Sequence, residues 1–243
     1  MRGVFMRIKG ACGGLAAAGR VGRVILSMGL AAAVFLSVAG CKTELEKNES
    51  NISELRTNVY AGGDAAMRVT AITGRRENPY VLDGHCGQTR DFTVITIEPT
   101  EFDYDKIYSY KLTVGDTEYT GELARHPFGR TFSADIEAKA DGDTLTCSVT
   151  DNGAESQFVL TSVRTPEMID ENKAIEIAAA RLKKPIASLT GGGRLNAEIY
   201  IRLMANPIDN SGGYYWYVAY VNESAIYAVL IEPVSMEILA VRD

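Results

Sequence analysis

Residues 143–163 read DTLTCSVTDNGAESQFVLTSV. Leu145, Cys147 and Val149 alternate with threonine and serine, the period-two signature of a strand with one face turned inward. Asn152-Gly153 follows, a pair that tolerates the positive backbone angles of a two-residue hairpin turn. Residues 157–163 then bring the chain back beside 143–150. A local hairpin of this kind commits the surrounding chain to antiparallel β structure.

Upstream the same period recurs. Met67, Val69 and Ala71 alternate with Arg68, Thr70 and Ile72, and residues 92–97 form the β-branched run FTVITI. Tyr108, Tyr110, Leu112 and Val114 alternate with polar residues. Gly115-Asp116 then offers a tight turn into 118–123. Phe132, Ala134 and Ile136 continue the pattern. Short strands at this spacing predict an antiparallel β-sandwich over residues 58–164, immunoglobulin-like in architecture. The Cys…Trp…Cys spacing of true immunoglobulin domains is missing, since the only tryptophan is Trp216.

Downstream of Pro166 the period changes. Residues 171–183, ENKAIEIAAARLK, set Ala174, Ile175, Ala178 and Leu182 on one helical stripe. Asp170 is placed to cap this helix, basic residues crowd its end, and Pro185 is expected to stop it. Gly191-Gly192-Gly193 reads as a loop, without the Gly-Lys-Ser/Thr of a phosphate cradle. Strands over 197–205, 214–222, 225–232 and 236–241 complete a small α+β domain, residues 166–243, with one helix on one face of a three- to four-stranded antiparallel sheet. The order of an acidic-led helix, an aromatic strand (YYWYVAYVN) and AIYAVLIEPVSMEILAV resembles the PepSY family. Tyr227-Ala228-Val229-Leu230-Ile231-Glu232 and Met236-Glu237-Ile238-Leu239 stand where that family carries Tyr-x-Val-x-Ile-Asp and Gly-Glu-Ile/Val-Leu. Glu232 replaces the usual Asp, and Pro233-Val234-Ser235-Met236 replaces the usual turn ending in Thr-Gly. The resemblance implies a non-catalytic module of secreted proteins that binds peptides or inhibits peptidases.

The beginning of the chain gives an address. Arg2, Arg7, Lys9, Arg20 and Arg23 precede a charge-free apolar run over 24–39, and small residues close it. This is the layout of a secretion signal. Val38-Ala39-Gly40-Cys41 resembles a bacterial lipobox, which implies cleavage after residue 40 and lipid on the sulfur of Cys41. Two acyl chains anchor a protein stably where one does not. The expected organisation is therefore a lipoprotein signal over 1–40, a lipidated cysteine and polar tether over 41–57, and the two domains beyond. Loss of the five basic residues of 1–40 takes the net charge from −6 to −11. So acidic a chain is poorly suited to nucleic acid, whose affinity rests on neutralised phosphates.

Candidate chemistry is sparse. Cys86 and Cys147 are the thiols left after Cys12 and Cys41. An oxidising exterior suggests a disulfide between them; the alternative is two separate thiols, with Cys147 packed inward. His85, Cys86, His126 and Cys147 could in principle make a nucleophile pair or a zinc site, the basis of an alternative reading as a Cys/His- or metal-dependent envelope hydrolase using His85, Cys86 and His126. Their spacing supports neither. Glu101, Asp103 and Asp105, with Asp141 and Asp143, read as solvated acidic turns and match no calcium loop. No metal or cofactor is called for. One aromatic concentration stands out. Tyr200, Tyr214, Tyr215, Trp216, Tyr217, Tyr220 and Tyr227 fall within 200–227. Alternation sends Trp216, Val218 and Tyr220 under the helix and leaves Tyr200, Arg202, Tyr215 and Tyr217 on the opposite face. That face is the candidate ligand site, because tyrosines offer apolar area with a polar tip. Taken together, the sequence points to a non-enzymatic, membrane-anchored envelope lipoprotein. Its expected partners are the membrane, through Cys41, and a peptide or peptidase.

Overall fold

The computed structural model describes residues 43–206 and 212–243. The expected signal, lipobox and lipidated Cys41 fall on residues outside those described. Among the described residues, no helix is long and apolar enough to cross a membrane.

The protein is mostly β, built on a large antiparallel sheet. A one-turn helix, α1 (Glu44–Lys47), and a 3₁₀ turn (Glu49–Asn51) lead into strand β1 (Ile52–Gly63). Then follow β2 (Met67–Glu77), β3 (Thr89–Pro99), β4 (Tyr108–Val114), β5 (Thr117–Glu122), β6 (Ala124–Arg125), β7 (Phe132–Ile136), β8 (Thr144–Asp151) and β9 (Ala154–Ser162). The helices α2 (Glu171–Arg181) and α3 (Lys183–Ser188) precede a small hairpin of β10 (Thr190–Gly191) and β11 (Arg194–Leu195). Strands β12 (Glu198–Ala205), β13 (Tyr214–Val221), β14 (Ile226–Ile231) and β15 (Ile238–Arg242) end the chain.

The hairpins form where their turns dictate. Asn152 and Gly153 both take positive φ, 48° and 85°, and Asp151 pairs with Ala154 across them. This is the backbone twist that joins two strands through two residues. Strands β1, β2, β3, β7 and β6 lie side by side, and β9, β8, β4 and β5 form the facing run. Between them sits a first core, from Tyr60, Val69, Ile95 and Ile97 on one side to Leu112, Cys147 and Leu160 on the other. The arrangement is that of a β-sandwich or barrel.

The second core is organised by α2. Asp170 caps it, with Lys173 N–H donating to Asp170 Oδ1 at 2.9 Å. Its Ala174, Ile175 and Ala178 pack with Ile199, Ile201 and Leu203 of β12 and with Trp216, Val218 and Tyr220 of β13. Trp216 is fully buried, and its indole N–H donates to Ile169 O at 3.0 Å. The face assignment expected from alternation is the one observed.

Three expectations need correction. Residues 41–57 were to be a tether, with the first domain starting at 58. Instead β1 begins at Ile52, and Ile52 and Leu55 are buried in the second core. Polar composition hid this, because few apolar side chains face inward, Ile52 and Leu55 with Leu45 packed against the same core, while Ser53, Glu54 and Arg56 face the other way. One edge of β1 pairs with β2 along its length. The other edge pairs with β12, in parallel, from Ile52 to Arg56, and with β9 at Tyr60 and Ala61. One strand thus serves both cores, and the boundary at 57/58 falls inside it. Second, Pro185 does not stop the helix. The break comes at Leu182, and Pro185 sits in the first turn of α3, where its missing N–H costs nothing. Third, Gly192 and Gly193 make a tight turn with φ of 58° and 77°, not an open loop.

Candidate functional site

The uncovered face of β12 and β13 is not a flat sheet surface. It is walled on two further sides into a cavity of about 530 Å³. The floor comes from Tyr200 and Arg202 on β12 and from Tyr217, Ala219 and Val221 on β13. These stand in register, Arg202 opposite Tyr217 and Tyr200 opposite Ala219. Of the four residues expected on this face, Tyr200, Arg202 and Tyr217 line the cavity. Tyr215 lies further along, opposite Met204, with its ring against Gly213, and does not line it.

One wall is β1. Its parallel pairing with β12 carries a bulge between Ile52 and Glu54. A bulge inserts an extra residue and re-aims side chains. Ile52 and Leu55 therefore both reach the core, while Ser53, Glu54 and Arg56 all line the cavity. Glu54 is 8% exposed and holds two cations: Arg56 Nε donates to Oε1 at 2.6 Å, and Arg202 Nε to Oε2 at 2.8 Å. The Arg202 guanidinium also lies 4.7 Å from the centre of the Tyr200 ring.

The other wall is the end of β2 and the segment 78–88 that follows. Arg76 lies over the Phe92 ring at 4.5 Å and pairs with Asp135. Glu77 is 6% exposed. Its Oε1 accepts the Gly87 N–H at 2.6 Å, while Oε2 has no hydrogen-bond partner among the described residues. Tyr80 stands at the rim. Tyr200 Oη lies 2.7 Å from Tyr80 Oη and 2.8 Å from Glu198 Oε2. A phenol carries one proton and an ionised carboxylate can only accept. Tyr200 therefore donates to Glu198 and receives its other bond from Tyr80. Burial above all, then the bonds to Tyr80 and Glu198, drives the Tyr200 phenol far above its ordinary pKa. It stays neutral at any physiological pH.

Segment 78–88 is held by buried polar groups. Glu198, fully buried, accepts the Asp83 N–H at 3.0 Å. Asn51 Nδ2 donates to Gly84 O and Ala197 O, both at 2.9 Å. Gly84 takes φ of 83°, and a Cβ there would come within 2.3 Å of Asn196 Oδ1, so only glycine fits.

The thiols and histidines do not assemble. Both cysteines are free, which overturns the expected Cys86–Cys147 disulfide. Cys147 is buried in the first core between the two strand layers, whereas Cys86 lies in segment 78–88, its N–H on Ser50 O at 2.8 Å. Burial pushes the Cys147 thiol up to about 12. Burial also raises Cys86, and the carboxylate of Glu77 adds to it; the Ser53 hydroxyl pulls the other way. Neither sulfur is poised as a thiolate nucleophile. His126 is exposed on the turn between β6 and β7, its Nδ1 accepting the Phe128 N–H at 3.2 Å. Phe132 in that hairpin pairs with Ile97 near the far end of β3, while Cys86 precedes the near end at Thr89. Eight residues of strand, about 27 Å, separate those positions. No group of three or more His, Cys, Asp or Glu side chains that could hold a metal ion occurs among the described residues.

Sequence reasoning missed Ser53, Glu54, Arg56, Arg76, Glu77 and Tyr80. The available signal was the spacing of Ile52 and Leu55, three apart in a strand context, which is the mark of a bulge. No protein-family profile, curated protein or solved structure matches the chain.

Proposed function

We propose that this chain is a non-enzymatic, membrane-anchored envelope lipoprotein whose binding site is the cavity floored by Tyr200, Arg202 and Tyr217. The observation that carries the reading is the cavity itself. At about 530 Å³ it falls within the range of small-ligand sites, about 300–1,000 Å³. It combines aromatic and aliphatic walls with a few fixed polar groups. The rest of the molecule holds those groups in place through Glu198, Asn51 and the bulge in β1.

In this reading residues 58–164 are an immunoglobulin-like sandwich, and residues 166–243 are a PepSY-like module with β1 added at its edge. Support for the second part comes from Met236. It adopts φ of 64°, a left-handed conformation that favours glycine, at the position where the PepSY pattern carries glycine. The ligand is a peptide or a peptidase segment, and the lipid on Cys41 holds the site at the membrane surface.

Two measurements test this. Cys41→Ser releases the chain from membranes into the aqueous fraction if the anchor is correct. A tripeptide library presented to the full chain is retained by the wild type, and Tyr217→Ala lowers retention by about tenfold. Equal retention by both removes the cavity as the site.

A further inference from the structure

We infer that the cavity receives a carboxylate carried on an apolar chain, with the guanidinium groups of Arg56 and Arg202 as its receivers; this deepens the proposed function and rests on the cavity being the binding site. Two cations here share one anion. Glu54 Oε1 accepts from Arg56 Nε, and Oε2 accepts from Nε and Nη2 of Arg202. The trio therefore carries one positive charge in excess. Arg76 brings no spare anion, because it shares Asp135 with Arg90. The other carboxylates beside the cavity, Glu77 and Glu198, present no oxygen to a ligand. Both are more than nine-tenths buried; Glu77 Oε1 holds the Gly87 N–H and its Oε2 is sealed from solvent, while Glu198 holds the Asp83 N–H and the Tyr200 hydroxyl. An arriving ligand meets donors.

A guanidinium has five N–H donors and no acceptor. Arg56 uses only Nε on Glu54, and Arg202 uses Nε and Nη2, so both Nη atoms of Arg56 and Nη1 of Arg202 have no hydrogen-bond partner among the described residues. None of these nitrogens is a buried orphan. The two side chains remain 27% and 28% accessible, against 11% for Glu54 between them. Arg56 and Arg202 stand opposite each other across the pairing of β1 with β12, and Tyr217 stands opposite Arg202 on β13. Guanidinium groups on adjacent strands form a fork that suits the two oxygens of a carboxylate. One carboxylate charge matches the one in excess, whereas a phosphate monoester brings about two. The rest of the ligand is set by the floor. Beyond Tyr217 the same face of β13 carries Ala219 and Val221, and Val221 pairs with Ile226. Four residues of strand, about 13 Å, separate Tyr217 from Val221. A ligand with its anion at Arg56 and Arg202 lays an apolar chain of that length toward Ile226. The carboxyl end of a peptide with aliphatic last residues meets this description, and so does a free fatty acid of medium length.

The test uses four probes on the full chain: N-acetyl-leucyl-leucine, its C-terminal amide, octanoate and octanol. Binding is followed by calorimetric titration at pH 7. The expected result is that N-acetyl-leucyl-leucine and octanoate each bind at least about tenfold tighter than their uncharged counterparts. A preference for the dipeptide over octanoate assigns a peptide carboxyl end, and the reverse assigns a fatty acid. Arg56→Gln leaves Arg202 on Glu54, so no buried carboxylate is orphaned, and it narrows the gap between charged and uncharged probes to less than about threefold. An undiminished gap in that variant overturns the assignment to Arg56 and Arg202. Equal binding of charged and uncharged probes to the wild type overturns the carboxylate assignment and leaves the cavity as a site. Failure of all four probes to bind overturns both. The wild-type comparison decides the ligand class even if Arg56→Gln does not fold.

Discussion

Asn51 donates from one amide nitrogen to Ala197 O and to Gly84 O, each at 2.9 Å, and so joins the entry of β1, the start of β12 and segment 78–88. The side chain is 6% exposed. Asn51→Ala leaves two buried carbonyls without a donor. The expected cost is about 2–4 kcal/mol, from about 1–3 for each orphaned group with partial relaxation. Chemical denaturation of the full chain measures it. A loss below about 0.5 kcal/mol would show that the segment is held by other means.

Tyr200→Phe removes the hydroxyl that donates to Glu198 Oε2. The carboxylate is fully buried and keeps just the Asp83 N–H on its other oxygen. A destabilisation of about 1–3 kcal/mol follows from the unmet acceptor. Tyr80→Phe is milder, since Tyr80 is 54% exposed and water can replace it. The order of the two midpoints in a urea series is the check. Equal midpoints would mean that Glu198 is not held by Tyr200.

Local elements were legible in the sequence because their causes are local. The hairpin of β8 and β9 is written in Asn152-Gly153, the start of α2 in Asp170, and the floor of the cavity in the alternation of Ile199, Tyr200, Ile201 and Arg202. The walls were not legible. The pairing of β1 with β12 joins segments far apart in the chain, and no turn sets its register. Within Ser53-Glu54-Leu55-Arg56 the bulge breaks the period that marks a strand, so a polar stretch looked like a tether. Glu77 and Tyr80 become site residues only through that pairing.

The two thiols should differ in reactivity with iodoacetamide under native conditions. Cys147 is fully buried with its pKa pushed up to about 12, so it should remain unlabelled at pH 8 until the chain unfolds. Cys86 is half-buried and raised by burial and by Glu77, so it should label slower than a free cysteine. Glu77→Gln removes part of the rise and speeds labelling. The sign for stability follows from the Cys147 shift. The folded state favours the protonated thiol, so its contribution is fully present below about pH 9 and is lost as pH rises toward 12. Peptide mass mapping reads the labelling, and rapid native labelling of Cys147 would contradict its place in the core.

Glu232 gives the opposite pH dependence. Burial raises its pKa, but hydrogen bonds from Ser235 and Val234 outweigh that and hold it below the ordinary value. Its Oε2 accepts the Val234 N–H at 2.8 Å and also the Ser235 N–H. The folded pKa is depressed, so the stabilisation is present above the unfolded value of about 4.5 and is lost as pH falls through the folded value. Glu232→Gln should lower stability at pH 7 and approach the wild type as the pH falls below the ordinary carboxylate range. A pH-independent difference would show that the carboxylate charge is not what holds the turn.

The same turn carries a strained residue beside that carboxylate. Met236 is held at φ of 64° by its N–H on Glu232 O at 3.0 Å, while Glu232 N–H reaches Glu237 O at 2.8 Å. A residue with a Cβ loses roughly 1–2 kcal/mol in this conformation. Glycine removes that cost but adds freedom to the unfolded chain, which offsets up to about 1 kcal/mol. Met236 is 46% exposed, so little packing is lost. Met236→Gly should therefore raise stability by about 0.5–1 kcal/mol, and Met236→Val should lower it, because β-branching makes the left-handed region still less accessible. Combined with Glu232→Gln the gain should persist, since backbone strain and the carboxylate bonds are separate contributions to one turn. A Met236→Gly variant less stable than the wild type would place Met236 outside the left-handed region. It would also remove the glycine-position argument that links residues 166–243 to the PepSY pattern.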